Sequence, residues 1–235
     1  MRAPPRAIPI AEHIRPPDIH PDNPGTAGLY WEIVRISAMT EVRRCLEIGS
    51  GGGQGSTKAF FEGAWMNPEP VKLHLVEGVV SQVVELKRQY GGFSWITIHH
   101  VCTVPRAEAY SDQYIERFFK ESPITGEIPS WHQRERDRYY AYFAQQGLEQ
   151  QGLARILDEH GPFNFVLVDG GSYTGLAEAK LVLETEPLFL ALDDIYSLKN
   201  RDSHRLMLKQ EDYERVALGP KTPNHSGWAI FRRKP

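Results

Sequence analysis

Apolar and polar positions alternate between two periods along this chain, and the alternation is regular enough to lay out most of its elements. Over residues 26–40, Leu29, Tyr30, Ile33, Ile36 and Met39 recur at helical spacing and predict a helix. A short buried strand is predicted over 43–48, then a helix from Ser56 that ends near Gly63 or at the Asn67-Pro68 and Glu69-Pro70 breakers. Residues 71–76 read as a second strand, 79–90 as a helix stopped by Gly91-Gly92, and the β-branched stretch 95–101 as a third strand. The same rhythm returns later with a buried strand over 163–168, a helix over 173–186 and a strand over 188–192. Residues 214–218 and 227–232 are expected to form a final strand pair, joined through Gly219-Pro220 and Pro223-Asn224. Strands alternating with helices predict an α/β protein with a parallel sheet.

Two stretches depart from that rhythm. Residues 1–25 carry seven prolines, which denies them a regular helix and predicts an extended N-terminal arm. Residues 105–160 are crowded with aromatics, among them Tyr110, Phe118, Trp131, Tyr139 and Phe143. This segment reads as largely helical, either a cap over the strand ends or a crossover packed on the sheet. The remainder, 26–235, is expected to be one domain.

The chemistry concentrates where strands end. The first predicted strand runs into Glu47-Ile48-Gly49-Ser50-Gly51-Gly52-Gly53. Glycines can take positive φ and bring bare amides close to a ligand, and the free amides of the following helix favour an electron-rich group. The dinucleotide pattern G-x-G-x-x-G is broken, with Gln54 or Ser56 in the third glycine position according to register. Glu77, Asp169 and the pair Asp193-Asp194 close later strands, so the acids should share the edge of the sheet where α/β proteins bind ligands. Glu77 is placed to accept the hydroxyls of a ribose. His99 and His100 close the third strand and face opposite sides; His100 is the candidate proton acceptor.

These motifs, in this order, resemble those of the class I S-adenosylmethionine-dependent methyltransferases. The stretches from Val168 to Tyr173 and Ala191 to Ile195 are similar to the magnesium-dependent subgroup of macrolide-sugar O-methyltransferases and cephalosporin hydroxylase type proteins. The resemblance implies a Rossmann-like, doubly wound, mostly parallel seven-stranded sheet with an antiparallel C-terminal pair. It implies S-adenosyl-L-methionine held by Glu47, Gly49, Gly51, Gly53 and Glu77, and Mg²⁺ held by Asp169, Asp193 and Asp194. Such an ion would orient a hydroxyl and lower its pKa, so Asp169 joins His100 among the candidate catalytic residues. One departure is visible, since Ser172 stands where that subgroup often has a histidine. The competing readings are a non-catalytic binder of adenosyl ligands and, on the strength of Glu77 alone, a nicotinamide-dependent oxidoreductase.

Composition narrows the rest. With 235 residues, 41% hydrophobic and 24% charged, the chain can bury one substantial core. A formal charge of -3 argues against a nonspecific nucleic-acid binder. Cys45 and Cys102 are far apart and form neither a disulfide framework nor a zinc motif; both are expected to pack, with Cys102 near a pocket. No apolar run is long enough to span a bilayer and no secretory leader is evident, so the expected compartment is the cytoplasm. The expected partner is a small-molecule acceptor, with neither nucleic acid nor membrane; the arm is a tail that is also compatible with exchange between the subunits of a homodimer.

Overall fold

The computed structural model describes residues 24–122, 128–148, 150–222 and 225–235. The proline-rich arm lies outside these apart from its last residues. In chain order the elements are α1 (Pro24–Ser37), β1 (Arg44–Ile48), α2 (Ser56–Met66), β2 (Lys72–Glu77), α3 (Val80–Tyr90) and β3 (Ile96–His100). There follow α4 (Asp112–Glu121), α5 (Pro129–Gln145), α6 (Gly152–His160), β4 (Phe165–Val168), α7 (Gly175–Leu183), β5 (Phe189–Asp193), α8 (Arg201–Met207), β6 (Tyr213–Thr222) and β7 (His225–Arg233).

The strands form one seven-stranded sheet in the order β3-β2-β1-β4-β5-β7-β6. The first five are parallel to one another, and β7 pairs antiparallel with both β5 and β6. The order reverses between β1 and β4, and that crevice is where a doubly wound sheet takes its ligands. This is the α/β architecture expected from the strand and helix rhythm, in the Rossmann-like, seven-stranded form that the resemblance implied.

Both faces of the sheet are buried, which is why the strands read as apolar runs. Cys45, Leu73, Leu75, Phe165, Leu167, Phe189 and Ala191 join one core with α1, α2 and α3. Their neighbours Leu46, Ile48, Val76, Val166, Val168, Leu190 and Leu192 join a second core with α6 and α7. A third cluster lies beyond the strand ends: Ile115, Phe118 and Phe119 of α4 and Tyr140 and Phe143 of α5 pack on Cys102, Tyr173 and Leu198. Arg136, 1% exposed, ties α5 to α4 by donating to the Tyr110 carbonyl at 2.5 Å and to Asp112 at 2.6 Å.

Two elements differ from expectation. Residues 201–207 form α8, an element absent from the expected set; its buried side is Arg201, Ser203, His204 and Met207, so hydrophobic periodicity could not reveal it. The final hairpin is longer than predicted, because Gly219-Pro220 lies within β6 instead of ending it. β6 is the edge strand, where a proline costs no ladder bond, and Gly219 leaves room for the Trp228 indole.

Candidate active site

The turn after β1 is built on left-handed backbone. Gly49, Gly51 and Gly53 have φ of 87°, 52° and 86°. A side chain at Gly49 would put its Cβ 2.2 Å from the Asp169 carbonyl oxygen, so the close approach of the β1 and β4 ends requires glycine there. Gly51 faces open space. Glu77 organises the turn from the end of β2: Oε2 accepts from Gly51 N at 2.8 Å, and Oε1 accepts from Gly78 N and Val79 N, each at 2.8 Å. The Tyr90 hydroxyl donates to the Gly53 carbonyl at 2.6 Å and closes the far side.

A cavity of about 580 Å³, open to solvent, lies against this turn. Gly49, Gly51, Glu77 and Asp169 line its floor, and Tyr139 and Phe143 of α5 form a wall. Cys102 reaches it too, donating its thiol hydrogen to the Val104 carbonyl. Cys102 therefore packs and lines a pocket at once.

Glu47 and Gly53 do not reach the cavity. Glu47 alternates to the α2 face of the sheet, where it is fully buried beneath the turn and accepts the Thr57 hydroxyl at 2.5 Å. Its Oε1 is buried and makes no hydrogen bond. Burial raises its pKa to about 7, against the pull of nearby hydroxyls. It supports the helix start from below, and contact with a cofactor is not what its position offers.

His100 is also displaced from its expected role. It sits on the edge strand β3 with Nε2 3.2 Å from the carbonyl of Gly78, a lining residue, but does not itself line the cavity. His99 faces the opposite side of the sheet, as strand alternation requires, and meets His74. Neither histidine lines the cavity.

The later acids do converge, but around a cation carried by the chain itself. Lys199 Nζ lies 2.5 Å from Asp169 Oδ1 and 2.8 Å from Asp194 Oδ2. Burial opposes its charge, yet the carboxylates of Asp169, Asp194 and Asp193 outweigh burial and hold the ammonium above the usual lysine range. Asp193 is turned to His225, with Nε2 at 3.1 Å. His225 Nδ1 accepts from Gly227 N, which leaves the ring proton on Nε2 toward Asp193. Asn200 locks the loop in place, donating to the carbonyls of Val168 at 2.9 Å and Asp193 at 2.8 Å.

Three carboxylates are the right donor type for Mg²⁺. The ammonium nevertheless stands between Asp169 and Asp194, where a bridging ion would have to sit, and a divalent cation against it would be repelled. The arrangement as folded does not fit the metal that the resemblance implied. Lys199 could have been noticed as the lone base six residues after Asp193, but nothing in the sequence says that the loop returns it to the strand ends.

Sequence reasoning also missed Glu178. It is fully buried on α7, lines the same cavity, and accepts the Thr103 hydroxyl through Oε1 at 2.6 Å. Its Oε2 is buried beside Thr174 without a geometrically complete hydrogen bond, and burial raises its pKa. The signal was available, since Gly175, Glu178, Ala179 and Val182 form the buried stripe of α7 and an acid on such a stripe is unusual.

No family model matches the chain, and no curated protein matches it by sequence. Solved structures do. A putative O-methyltransferase from Klebsiella pneumoniae aligns with a TM-score of 0.55 at 14% identity, over 89% of this chain and 81% of that one. The O-methyltransferase TomG from Streptomyces achromogenes, solved with SAM, gives 0.53 at 15% identity, over 89% and 81%. An O-methyltransferase from Bacillus cereus, solved with SAH, gives 0.54 at 13% identity, over 92% and 83%. The chain has the class I methyltransferase fold. On that fold the glycine turn, Glu77 and the cavity share the crevice at the switch between β1 and β4. No helix among the described residues is long and apolar enough to cross a membrane.

Proposed function

We propose that this chain binds S-adenosylmethionine in the cavity beside the glycine turn and transfers its methyl group to an oxygen of a small molecule, without a divalent ion. The observation that carries the reading is the pairing of an open Gly51 with Glu77 on the floor of one cavity. Glu77 Oε2 takes one backbone hydrogen bond and retains a lone pair for a ribose hydroxyl. Gly51 leaves space for the ligand, and Tyr139 and Phe143 give flat apolar walls. When bound, the cofactor supplies an intrinsically activated methyl group, so the protein's task is alignment and exclusion of water.

The chain's own residues divide that task. Asp169 and Asp194 share the ammonium of Lys199 and Asp193 faces His225, so the far side of the site is a set of paired charges of which Asp169 reaches the cavity. Glu178, with a raised pKa and an unsatisfied oxygen on the cavity, is the group to receive a proton from the acceptor hydroxyl. Lys199 does not accept protons there, because its neighbours hold it charged. α4 and α5 would act as the cap that shapes the acceptor pocket.

Calorimetric titration tests this directly. S-adenosylhomocysteine should bind, NAD should not, and neither Mg²⁺ nor a chelator should change the affinity. Glu77→Ala should weaken S-adenosylhomocysteine roughly 30-fold, the loss of about 2 kcal/mol expected for a charge-assisted hydrogen bond. Binding of NAD in place of the homocysteine compound would sink the proposal. Transfer of label from methyl-labelled cofactor to a hydroxylated small molecule separates an enzyme from a binding protein.

A further inference from the structure

His99, which turns away from His100, leads to a second cluster on the α6 face of the sheet, toward the starts of the strands. His74 of β2, His99 of β3 and His160 at the end of α6 offer ring nitrogens that all lie within 4.8 Å of one another. His74 and His99 are 5% and 8% exposed, and His160 is half-buried with its ring against both. His74 Nδ1 and His99 Nε2 approach to 3.0 Å. Two nitrogens bound to one tetrahedral ion at about 2.0–2.1 Å stand about 3.3 Å apart, so this spacing needs little adjustment.

A fourth donor is at hand. Glu159 Oε2 is 3.7 Å from His160 Nε2, and Glu159, His74 and His160 line one cavity of about 660 Å³ open to solvent. We infer that His74, His99, His160 and Glu159 form a binding site for a borderline divalent transition-metal ion, of which Zn²⁺ is the best match to three imidazoles and one carboxylate.

The surroundings favour the form of histidine that ligates. Burial, then the neighbouring imidazoles and cations, lowers His74 to about 3, and burial likewise lowers His99 to about 4, so both rings are neutral near pH 7. The cations nearby are Arg44, Lys72 and Arg155. Arg44 spends its guanidinium on the carbonyls of His160 and Gly161, Lys72 is exposed at the cavity rim, and Arg155 pairs with Glu159 at 2.8 Å. Binding therefore requires Glu159 to turn from Arg155 to the ion, and requires the proton shared by His74 and His99 to move to a far ring nitrogen. Phe163 packs edge-on against His74 and holds its ring in place. An ion here would tie the edge strand β3 and its neighbour β2 to α6. Its role would be structural, since the methyl-transfer cavity is lined by other residues.

The test is titration of the purified full chain with Zn²⁺, with Co²⁺ as a spectroscopic stand-in. One Zn²⁺ per chain should bind, Co²⁺ should give the visible absorption of a four-coordinate site, and Zn²⁺ should raise the melting temperature. His160→Gln, at a half-buried position, should melt within a few degrees of the parent chain in chelator and bind Zn²⁺ at least tenfold more weakly. Asp193→Asn, which alters the other group of potential ligands (Asp193, Asp194 and His225), should leave Zn²⁺ binding intact. The proposal is overturned if the parent chain takes up no Zn²⁺, if His160→Gln binds as tightly as the parent, or if Asp193→Asn abolishes binding.

Discussion

The acids that close β2 and β4 look alike in the sequence and end in opposite electrostatic situations. Glu77 is neutralised by peptide dipoles: three backbone N–H groups converge on it, and no formal positive charge is needed. Asp169 is neutralised by a full ammonium, Lys199, delivered by a loop thirty residues later. The first solution leaves lone pairs free beside the cavity and an open glycine next to them. The second fills the space between two carboxylates with a side chain of the protein. A strand-end acid thus marks the ligand edge of an α/β sheet, but its function depends on what the rest of the chain brings to it.

The sharpest way to break this comparison is to remove the cation. Lys199→Met should destabilise the fold by about 3 kcal/mol, because two part-buried carboxylates lose their partner. It should also create what the parent chain lacks, a Mg²⁺ dependence of the melting temperature. If Lys199→Met is as stable as the parent and indifferent to Mg²⁺, the ammonium is not filling an ion's place.

The buried acid beneath the turn gives an effect of similar size through pH. Burial raises Glu47 from 4.5 to about 7. Between those values the unfolded chain gives up this proton while the folded chain keeps it, so rising pH favours unfolding by up to about 3 kcal/mol. Glu47→Gln should remove that slope. Chemical denaturation of both proteins at about pH 5 and about pH 8 reads it as a difference of differences. Equal pH slopes would place the ionised carboxylate at no disadvantage in the fold.

Smaller effects sharpen the picture at the ligand. Gly51→Ala should cost about 1 kcal/mol of stability for its left-handed backbone, with no clash to add. The added methyl enters the proposed binding space, so S-adenosylhomocysteine affinity should fall roughly tenfold. Unchanged affinity would move the ligand off the turn. His100→Gln should change stability by less than about 0.5 kcal/mol and leave turnover and its pH profile as they were. A loss of turnover with this variant would return His100 to the chemistry.

Much of the molecule was legible before folding. Strand and helix periodicity located the seven strands, and the glycine turn with Glu77 pointed to one half of the candidate site, because both signals are local: a period, a turn and an acid after a strand. α8 escaped because its buried side is polar, and the reach of β6 through Gly219-Pro220 escaped because only the sheet order makes it an edge strand. Glu178 stood in the buried stripe of its helix and could have been noticed. The placement of Lys199 could not, because it depends on a loop folding back across strand ends under the hold of Asn200. His74 and His160 likewise carry no local mark, being separated by eighty-six residues and joined only by the packing of α6 on the sheet. The sequence by itself determined the sheet, the turn and where negative charge would gather. Tertiary structure alone decided which charges meet, because the partner of a buried group is chosen by chain segments far apart in sequence, and that choice sets whether an acid awaits a ligand or is already paired.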